Sequence, residues 1–117
     1  AAAKALVEAG ADGVKVGIDY DWGYPATVNH PDQAGFAADV AREVAGAGKV
    51  DDTAPREMGA EDFAYMLEAR PGAYLFLGQG PGAGLHHPAY DFNDEIAPIG
   101  ASFLARLVER AQPAPAG

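Results

Sequence analysis

The 117-residue sequence contains no cysteine, which excludes disulfide bonds and thiolate metal ligands within the chain. Basic residues are also few: 8 Lys and Arg stand against 17 Asp and Glu, a formal net charge of −9. Because nucleic-acid binding depends on neutralising phosphates with basic side chains, we predict no nucleic-acid partner. Long apolar runs and a basic leader segment are missing as well, so we predict no membrane partner and a cytoplasmic location.

The remaining composition is that of a folded domain. Hydrophobic residues make up 49% and charged residues 21% of the chain, as in ordinary globular proteins. The length fits one domain with a core of its own. The chain opens on Ala and runs directly into the helix-like stretch AAAKALVEAGA without a capping signal, so we expect the sequence to start inside a domain.

The first half of the chain shows helix and strand patterns in turn. Residues 1–9 are strong helix formers that end at Gly10. Apolar residues alternate over 14–20, which predicts a half-buried strand. Pro31 opens a helix whose apolar stripe recurs every four residues and stops at Gly46 or Gly48. Residues 49–52 are too short for more than a strand fragment or a linker.

The second half predicts two further helices and a buried strand. Residues 60–70 carry an apolar helical face and end at Pro71-Gly72. Residues 73–78 are continuously apolar and bounded by glycine, which is typical of a central strand covered on both faces. A glycine-rich loop over 79–84 follows. The last helix carries an apolar stripe made of Ile96, Ile99, Phe103 and Leu107. Alternating helices and strands predict an α/β fold.

Two of the three histidines, His86 and His87, lie side by side in the loop after the predicted central strand. Ligands of open α/β sheets bind outside the carboxyl ends of strands, which is where this doublet falls. Imidazole at this place can ligate a metal, carry a proton or form part of a solvated turn. A metal site needs three or four protein ligands, and adjacent histidines rarely share one ion, so the residues alone leave these alternatives open.

A second candidate site surrounds Gly59, just before the predicted helix. Glu61 and Asp62 would occupy its first turn, where carboxylates cap free N–H groups and meet the helix dipole favourably. Alternatively, Gly59 would leave backbone N–H groups open to an anionic substrate group, with the acidic pair as the wall of the pocket. No phosphate-binding loop, G-x-S-x-G elbow or cysteine nucleophile is present, which excludes the chemistry of those motifs.

Three stretches then carry a family resemblance. They are GYPATVNHP at 23–31, MGAEDFAYMLEARPGAYLFLGQG at 58–80 and LHHPAYDFNDEIAPIGASFLARLV at 85–108. In this order and spacing they resemble the C-terminal part of the aminoacylase and carboxypeptidase type metallopeptidase family. The branch that they resemble is the amidohydrolases, which include hippurate hydrolase, N-acyl-amino-acid amidohydrolases and auxin-conjugate hydrolases. The resemblance covers nearly the whole chain.

The resemblance implies a domain arrangement. Residues 1–23 are similar to the last helix and strand of an inserted α/β lid, which serves as the dimerisation domain. Residues 24–29 would be a linker, and residues 30–117 would form the C-terminal part of a metallopeptidase-like catalytic domain. Most of the enzyme would then lie upstream, including every catalytic residue. We therefore expect the 117 residues alone to be inactive, and the intact enzyme to be a homodimer through the lid.

The resemblance also implies roles for individual residues. His86 matches the metal-ligating histidine of the family's L-H-x-P motif, whereas His87 occupies a variable position. Gly59, Ala60 and Glu61 match the loop that helps seat the substrate's carboxylate. At the position of His30, relatives usually have Asp, so the resemblance assigns His30 no role. The site would bind two divalent ions per intact enzyme, with Zn, Mn, Co and Ni not distinguished.

The function implied is metal-dependent hydrolysis of the amide bond of an N-acyl amino acid, hippurate-like, to a carboxylic acid and an amino acid. On this hypothesis the His86 ring should point into a concave acidic recess beside the loop. The alternative from a different class is a non-catalytic acidic α/β binding or interaction module, which the plausible single-domain length also supports.

Overall fold

The computed structural model describes Lys4, Ala5, Glu8, Gly10, Gly17 and residues 19–112. Most of the predicted strand over 14–20 and most of the predicted helix over 1–9 lie outside the described residues; Gly17, Asp19 and Tyr20 are described and are not in a strand, and Lys4, Ala5 and Glu8 are helical. Three α-helices and two short 3₁₀ helices follow in the described residues: α1 (Pro31–Ala45), 3₁₀ (Ala47–Lys49), α2 (Phe63–Ala69), 3₁₀ (Asp94–Ile96) and α3 (Ala97–Ala111).

Helix α1 confirms its prediction at both ends. Pro31 occupies the first turn, where a missing N–H costs nothing and the fixed φ suits a helix. Gly46 ends the helix with φ 91°, a conformation that favours glycine, and its N–H bonds to the carbonyl of Arg42 at 3.0 Å. Val40, in the middle of the predicted apolar stripe, is completely buried.

Helix α3 packs against α1, as its apolar stripe predicts. Phe103 and Leu107 on that stripe are half-buried. Glu43 of α1 reinforces the contact by accepting from Arg106 Nε at 3.0 Å and by pairing with Arg110. Each of these ion pairs is partly exposed, so its contribution to stability is small and sensitive to salt.

The predicted start of the middle helix is wrong by three residues. Helix α2 begins at Phe63, not at Ala60, and is seven residues long. Its buried side chains are Ala64 and Leu67, whereas Met66, which the pattern placed on the apolar face, is 64% exposed. Gly59 therefore lies outside the helix, four positions before its first residue.

The prediction of a central strand over 73–78 is also wrong for the described part of the chain, which contains no β-strand. A strand needs a neighbouring backbone with which to exchange hydrogen bonds. Here His30 N–H donates to the Gly72 carbonyl at 3.0 Å, and beyond it only the side chain of Asn29 continues the pairing. Leu75, Phe76 and Leu77 remain 41%, 74% and 50% exposed.

The core of the described residues is small. Its buried side chains are Ala37, Ala38, Val40, Ala64 and Leu67. The predicted α/β class is thus represented in these residues by its helices alone. Over the same part of the chain, the helices lack the combination of length and hydropathy that a membrane crossing requires.

Candidate functional site

The loop that carries the two histidines is fixed at its base by one glutamine. Gln79 Oε1 accepts from the Tyr90 hydroxyl at 3.1 Å and from the Asn93 backbone N–H at 3.3 Å. The Gln79 carbonyl accepts from Asn93 Nδ2 at 3.1 Å. Asn93 Oδ1 in turn accepts from Glu95 N–H at 3.0 Å and caps the 3₁₀ helix that leads into α3. The end of the apolar segment is thereby tied to the start of the last helix.

The two neighbouring histidines play different parts in this loop. His87 Nδ1 accepts from the Ala89 N–H at 3.0 Å, and the His87 carbonyl accepts from the Tyr90 N–H at 2.9 Å. His87 thus shapes the turn. His86 has φ 66°, in the left-handed region that non-glycine residues rarely adopt, and its side chain makes no hydrogen bond to any described residue. Such strain is found at functional sites more often than elsewhere.

A cleft of ≈ 570 Å³ lies beside the same loop. Its acidic lining comes from Asp91, Asp94 and Glu95, and Gln79 forms part of its wall. The acidic recess expected next to the histidines therefore exists. His86 does not line it, however, and is exposed in the described structure.

The metal implied by the resemblance can be compared with the donors at this place. Within residues 19–112 and the few described residues before them, no three His, Asp or Glu side chains gather as metal ligands. His86 supplies one imidazole that is accessible and not engaged by the described residues, which suits a single ligand. The donor set therefore fits one metal ligand and does not form a complete metal site.

The second candidate site places Glu61 in a network of hydrogen bonds. Its Oε1 accepts from the Phe63 N–H at 3.2 Å, and its Oε2 accepts from the Tyr74 hydroxyl at 3.0 Å. These donors, the Phe63 N–H first, lower the pKa of the Glu61 carboxyl below its usual value. The same bond, together with burial, raises the pKa of the Tyr74 hydroxyl.

Glu61 thus caps one N–H of the first turn, as the capping interpretation expects, but from two residues ahead of α2 and not from within its first turn, and Asp62 makes no side-chain cap hydrogen bond. The Glu61 carboxylate occupies the Phe63 N–H, and the carbonyls of Glu61 and Asp62 accept from the Ala64 and Tyr65 N–H groups at 3.3 and 3.0 Å. These first-turn donors are thus already used. An anionic group at Gly59 would have to bind the exposed backbone before the helix, at Gly59 and Ala60.

The structure does not bring the two candidate sites into one cavity. Neither cleft is lined by Gly59, Ala60, Glu61 or His86. The second cleft, of ≈ 390 Å³, lies at the start of α1 and includes His30 and Leu67. His30 Nδ1 accepts from the Gly72 N–H at 3.2 Å, so His30 joins α1 to the segment after α2.

Three residues that position these sites escaped the sequence analysis: Asn29, Tyr74 and Gln79. Asn29 donates to the Tyr74 carbonyl at 2.9 Å and accepts from the Tyr74 N–H at 2.7 Å. Tyr74 then reaches Glu61, and Gln79 holds the histidine loop. One signal was available for Gln79, because it is the first side chain after the apolar run 73–77 that can both donate and accept.

Comparison with known proteins identifies the family to which the chain belongs. Residues 4–110 match the model of Peptidase family M20/M25/M40, which covers most of the chain. The chain belongs to this family. The match confirms the family resemblance drawn from the three motif stretches, and the family fits the predicted α/β class.

Individual relatives narrow the comparison. The chain is 37% identical over 91 residues to the putative amidohydrolase YhaA of Bacillus subtilis, covering 74% of this chain and 23% of that protein. It is 31% identical over 97 residues to the hippurate hydrolase of Campylobacter jejuni, covering 83% and 25%. It is 36% identical over 92 residues to the IAA-amino acid hydrolase ILR1-like 5 of Arabidopsis thaliana, covering 74% and 21%.

The chain therefore spans about a quarter or less of the length of these relatives. No solved structure matches it significantly.

Proposed function

We propose that the chain is the C-terminal part of the catalytic domain of a metal-dependent amidohydrolase, which cleaves N-acyl amino acids to a carboxylic acid and an amino acid. The family match over residues 4–110, with relatives named amidohydrolase, hippurate hydrolase and IAA-amino acid hydrolase, is the observation that carries this proposal. Residues 1–23 would belong to a lid that forms a cytoplasmic homodimer, residues 24–29 to a linker and residues 30–117 to the catalytic domain.

In this enzyme His86 is the one metal ligand that the chain contributes. Its imidazole is accessible and sits on a loop whose shape is set by other residues, Gln79 and His87. The remaining ligands and the general base belong to the rest of the enzyme. When bound, two divalent ions such as zinc or manganese would lower the pKa of a water molecule and polarise the amide oxygen.

Gly59, Ala60 and Glu61 would form part of the substrate site. Gly59 and Ala60 are exposed, and their backbone N–H groups would suit the carboxylate of the amino-acid product half, since successive N–H groups can form an anion-binding concavity. Glu61 cannot bind that carboxylate directly, because both are anionic. Its role would be to hold the segment against Phe63 and Tyr74.

The experiment uses the complete polypeptide encoded by the reading frame that contains this chain. Bound metal is measured by elemental analysis, and hydrolysis is measured with hippurate and a panel of N-acetyl amino acids. The variant is His86→Ala, and the matched control is His87→Asn, since asparagine can still accept from the Ala89 N–H while the imidazole is removed.

We expect His86→Ala to lose hydrolysis and part of the metal content, and His87→Asn to keep both. The 117 residues alone should bind no stoichiometric metal and show no hydrolysis. Full activity and metal content in His86→Ala would refute the assignment of His86. Absence of hydrolysis and of stoichiometric metal in the wild-type polypeptide would favour a non-catalytic acidic binding module.

A further inference from the structure

The Gln79 side chain both accepts and donates hydrogen bonds at the base of the histidine loop. Its Oε1 accepts from the Tyr90 hydroxyl and from the Asn93 N–H, at 3.1 and 3.3 Å, and its Nε2 donates to the Asp91 carbonyl at 3.3 Å. Its backbone carbonyl adds the bond from Asn93 Nδ2. Four hydrogen bonds thus connect one residue before the loop with three residues after it.

The loop that these bonds close needs such a connection. Between Gln79 and Tyr90 the chain contains three glycines, at 80, 82 and 84, which give the backbone wide conformational freedom. Inside the loop, the backbone of His87 bonds to Gly84 and Tyr90, and its ring bonds to Ala89. These contacts shape the tip but do not join the loop to the apolar segment. The join is made at Gln79.

We propose that Gln79 is a positioning residue for His86: by fixing both ends of the loop, it holds the His86 imidazole where the metal requires it. The proposal rests on the proposed function, because it assumes that His86 is a metal ligand. Outer residues that orient metal ligands commonly contribute a 10- to 100-fold effect on metal affinity, about as much as we expect here.

An amide suits this position better than a carboxylate or an aliphatic group. A carboxylate would still accept from Tyr90 and Asn93, but it could not donate to the Asp91 carbonyl. It would also add a negative charge to a cleft already lined by Asp91, Asp94 and Glu95. An aliphatic side chain of equal size would lose all three side-chain bonds. Gln79→Glu should therefore behave as a partial replacement and Gln79→Leu as a full loss.

The test measures metal binding by the complete polypeptide, with Co²⁺ as the probe. The dissociation constant comes from competition with a chelator, and the visible absorption of bound Co²⁺ reports the geometry of its ligands. Gln33→Leu is the matched control, because Gln33 lies on α1 and its side chain makes no hydrogen bond to a described residue. Far-UV circular dichroism verifies that each variant is folded.

We expect Gln79→Leu to bind Co²⁺ about 10- to 100-fold more weakly with an altered absorption spectrum, Gln79→Glu to lie between it and wild type, and Gln33→Leu to match wild type. If Gln79→Leu does not fold, Tyr90→Phe removes one of the bonds and should weaken binding about 2- to 10-fold. Wild-type affinity and spectrum in Gln79→Leu, or in Tyr90→Phe if it replaces that variant, would overturn the proposal.

If the proposed function itself is wrong, the same Co²⁺ measurements give a different result. In that case His86→Ala itself would leave Co²⁺ affinity and spectrum unchanged, whatever the result for Gln79. A weakened Gln79→Leu beside an unaffected His86→Ala would likewise refute positioning through His86, since the effect of Gln79 would then reach the metal by another route.

Discussion

Removal of the Asn29 side chain should release the segment that begins at Tyr74. The Asn29 amide donates to the Tyr74 carbonyl at 2.9 Å and accepts from its N–H at 2.7 Å, which reproduces the pair of bonds that a neighbouring strand would make. Each neutral hydrogen bond has a net value of about 0.5–1.5 kcal/mol. Water can replace both bonds at this exposed place, so Asn29→Ala should lower the free energy of unfolding by about 1 kcal/mol, the lower end of the sum.

The assay is urea unfolding of the chain, followed by far-UV circular dichroism, together with hydrogen exchange of the Tyr74 amide by NMR. Asn29→Asp keeps the acceptor for the Tyr74 N–H and loses the donor, so it should show about half the loss. Gln33→Ala, an amide on α1, serves as the control and should change neither quantity. Equal unfolding curves and equal exchange of the Tyr74 amide in Asn29→Ala and wild type would show that the side chain does not hold this segment.

Three other predictions concern charge and packing. The lowered pKa of Glu61 and the raised pKa of Tyr74 make their bond fully stabilising between the ordinary values of 4.5 and 10.0. This stability should be lost as pH falls through the lower folded pKa of Glu61 or rises through the higher folded pKa of Tyr74. Urea midpoints against pH would test this, and Tyr74→Phe should abolish the alkaline loss; an unchanged profile in that variant would contradict it. Glu43→Gln should cost less than about 1 kcal/mol, and the difference should disappear in about 1 M NaCl; a difference that persists in salt would exclude a surface ion pair. Gly100→Ala places a Cβ 3.3 Å from Leu77 Cδ2, but the Leu77 side chain is half-exposed and can shift. The gain in helix propensity, up to about 1 kcal/mol, should therefore raise the midpoint of thermal unfolding. A destabilised variant would mean that Leu77 is held in place.

Helices α1 and α3 were predictable because their determinants are local. Pro31 and Gly46 mark the two ends of α1, and the two amphipathic helices pack against each other in the structure. The start of α2 was missed because it depends on a local side-chain contact and not on the apolar pattern. The Glu61 side chain, two residues ahead of the helix, accepts from the N–H of its first residue, Phe63, and apolar periodicity does not register such a side-chain contact with the first turn.

The predicted strand failed because a strand depends on a distant partner. Residues 73–78 have the composition of a covered strand, but among the described residues their backbone is paired only at Tyr74, by the Asn29 side chain, while the His30 backbone bonds to Gly72 just before them. The functional roles of His86, Gly59, Ala60 and Glu61 stay predictions. The different parts that His86 and His87 play in the loop depend on which ring bonds to Ala89, which only the folded loop decides.

The uncovered stretch from Leu75 to Leu77 also bears on how the chain can be handled. It is apolar, without charge and about half exposed, and such segments recruit the same segment of another molecule into cross-β aggregates. Aggregation of the 117 residues should therefore increase steeply with their concentration. Replacing Phe76 with lysine, a gatekeeper charge in the middle of the stretch, is the simplest way to suppress precipitation during purification.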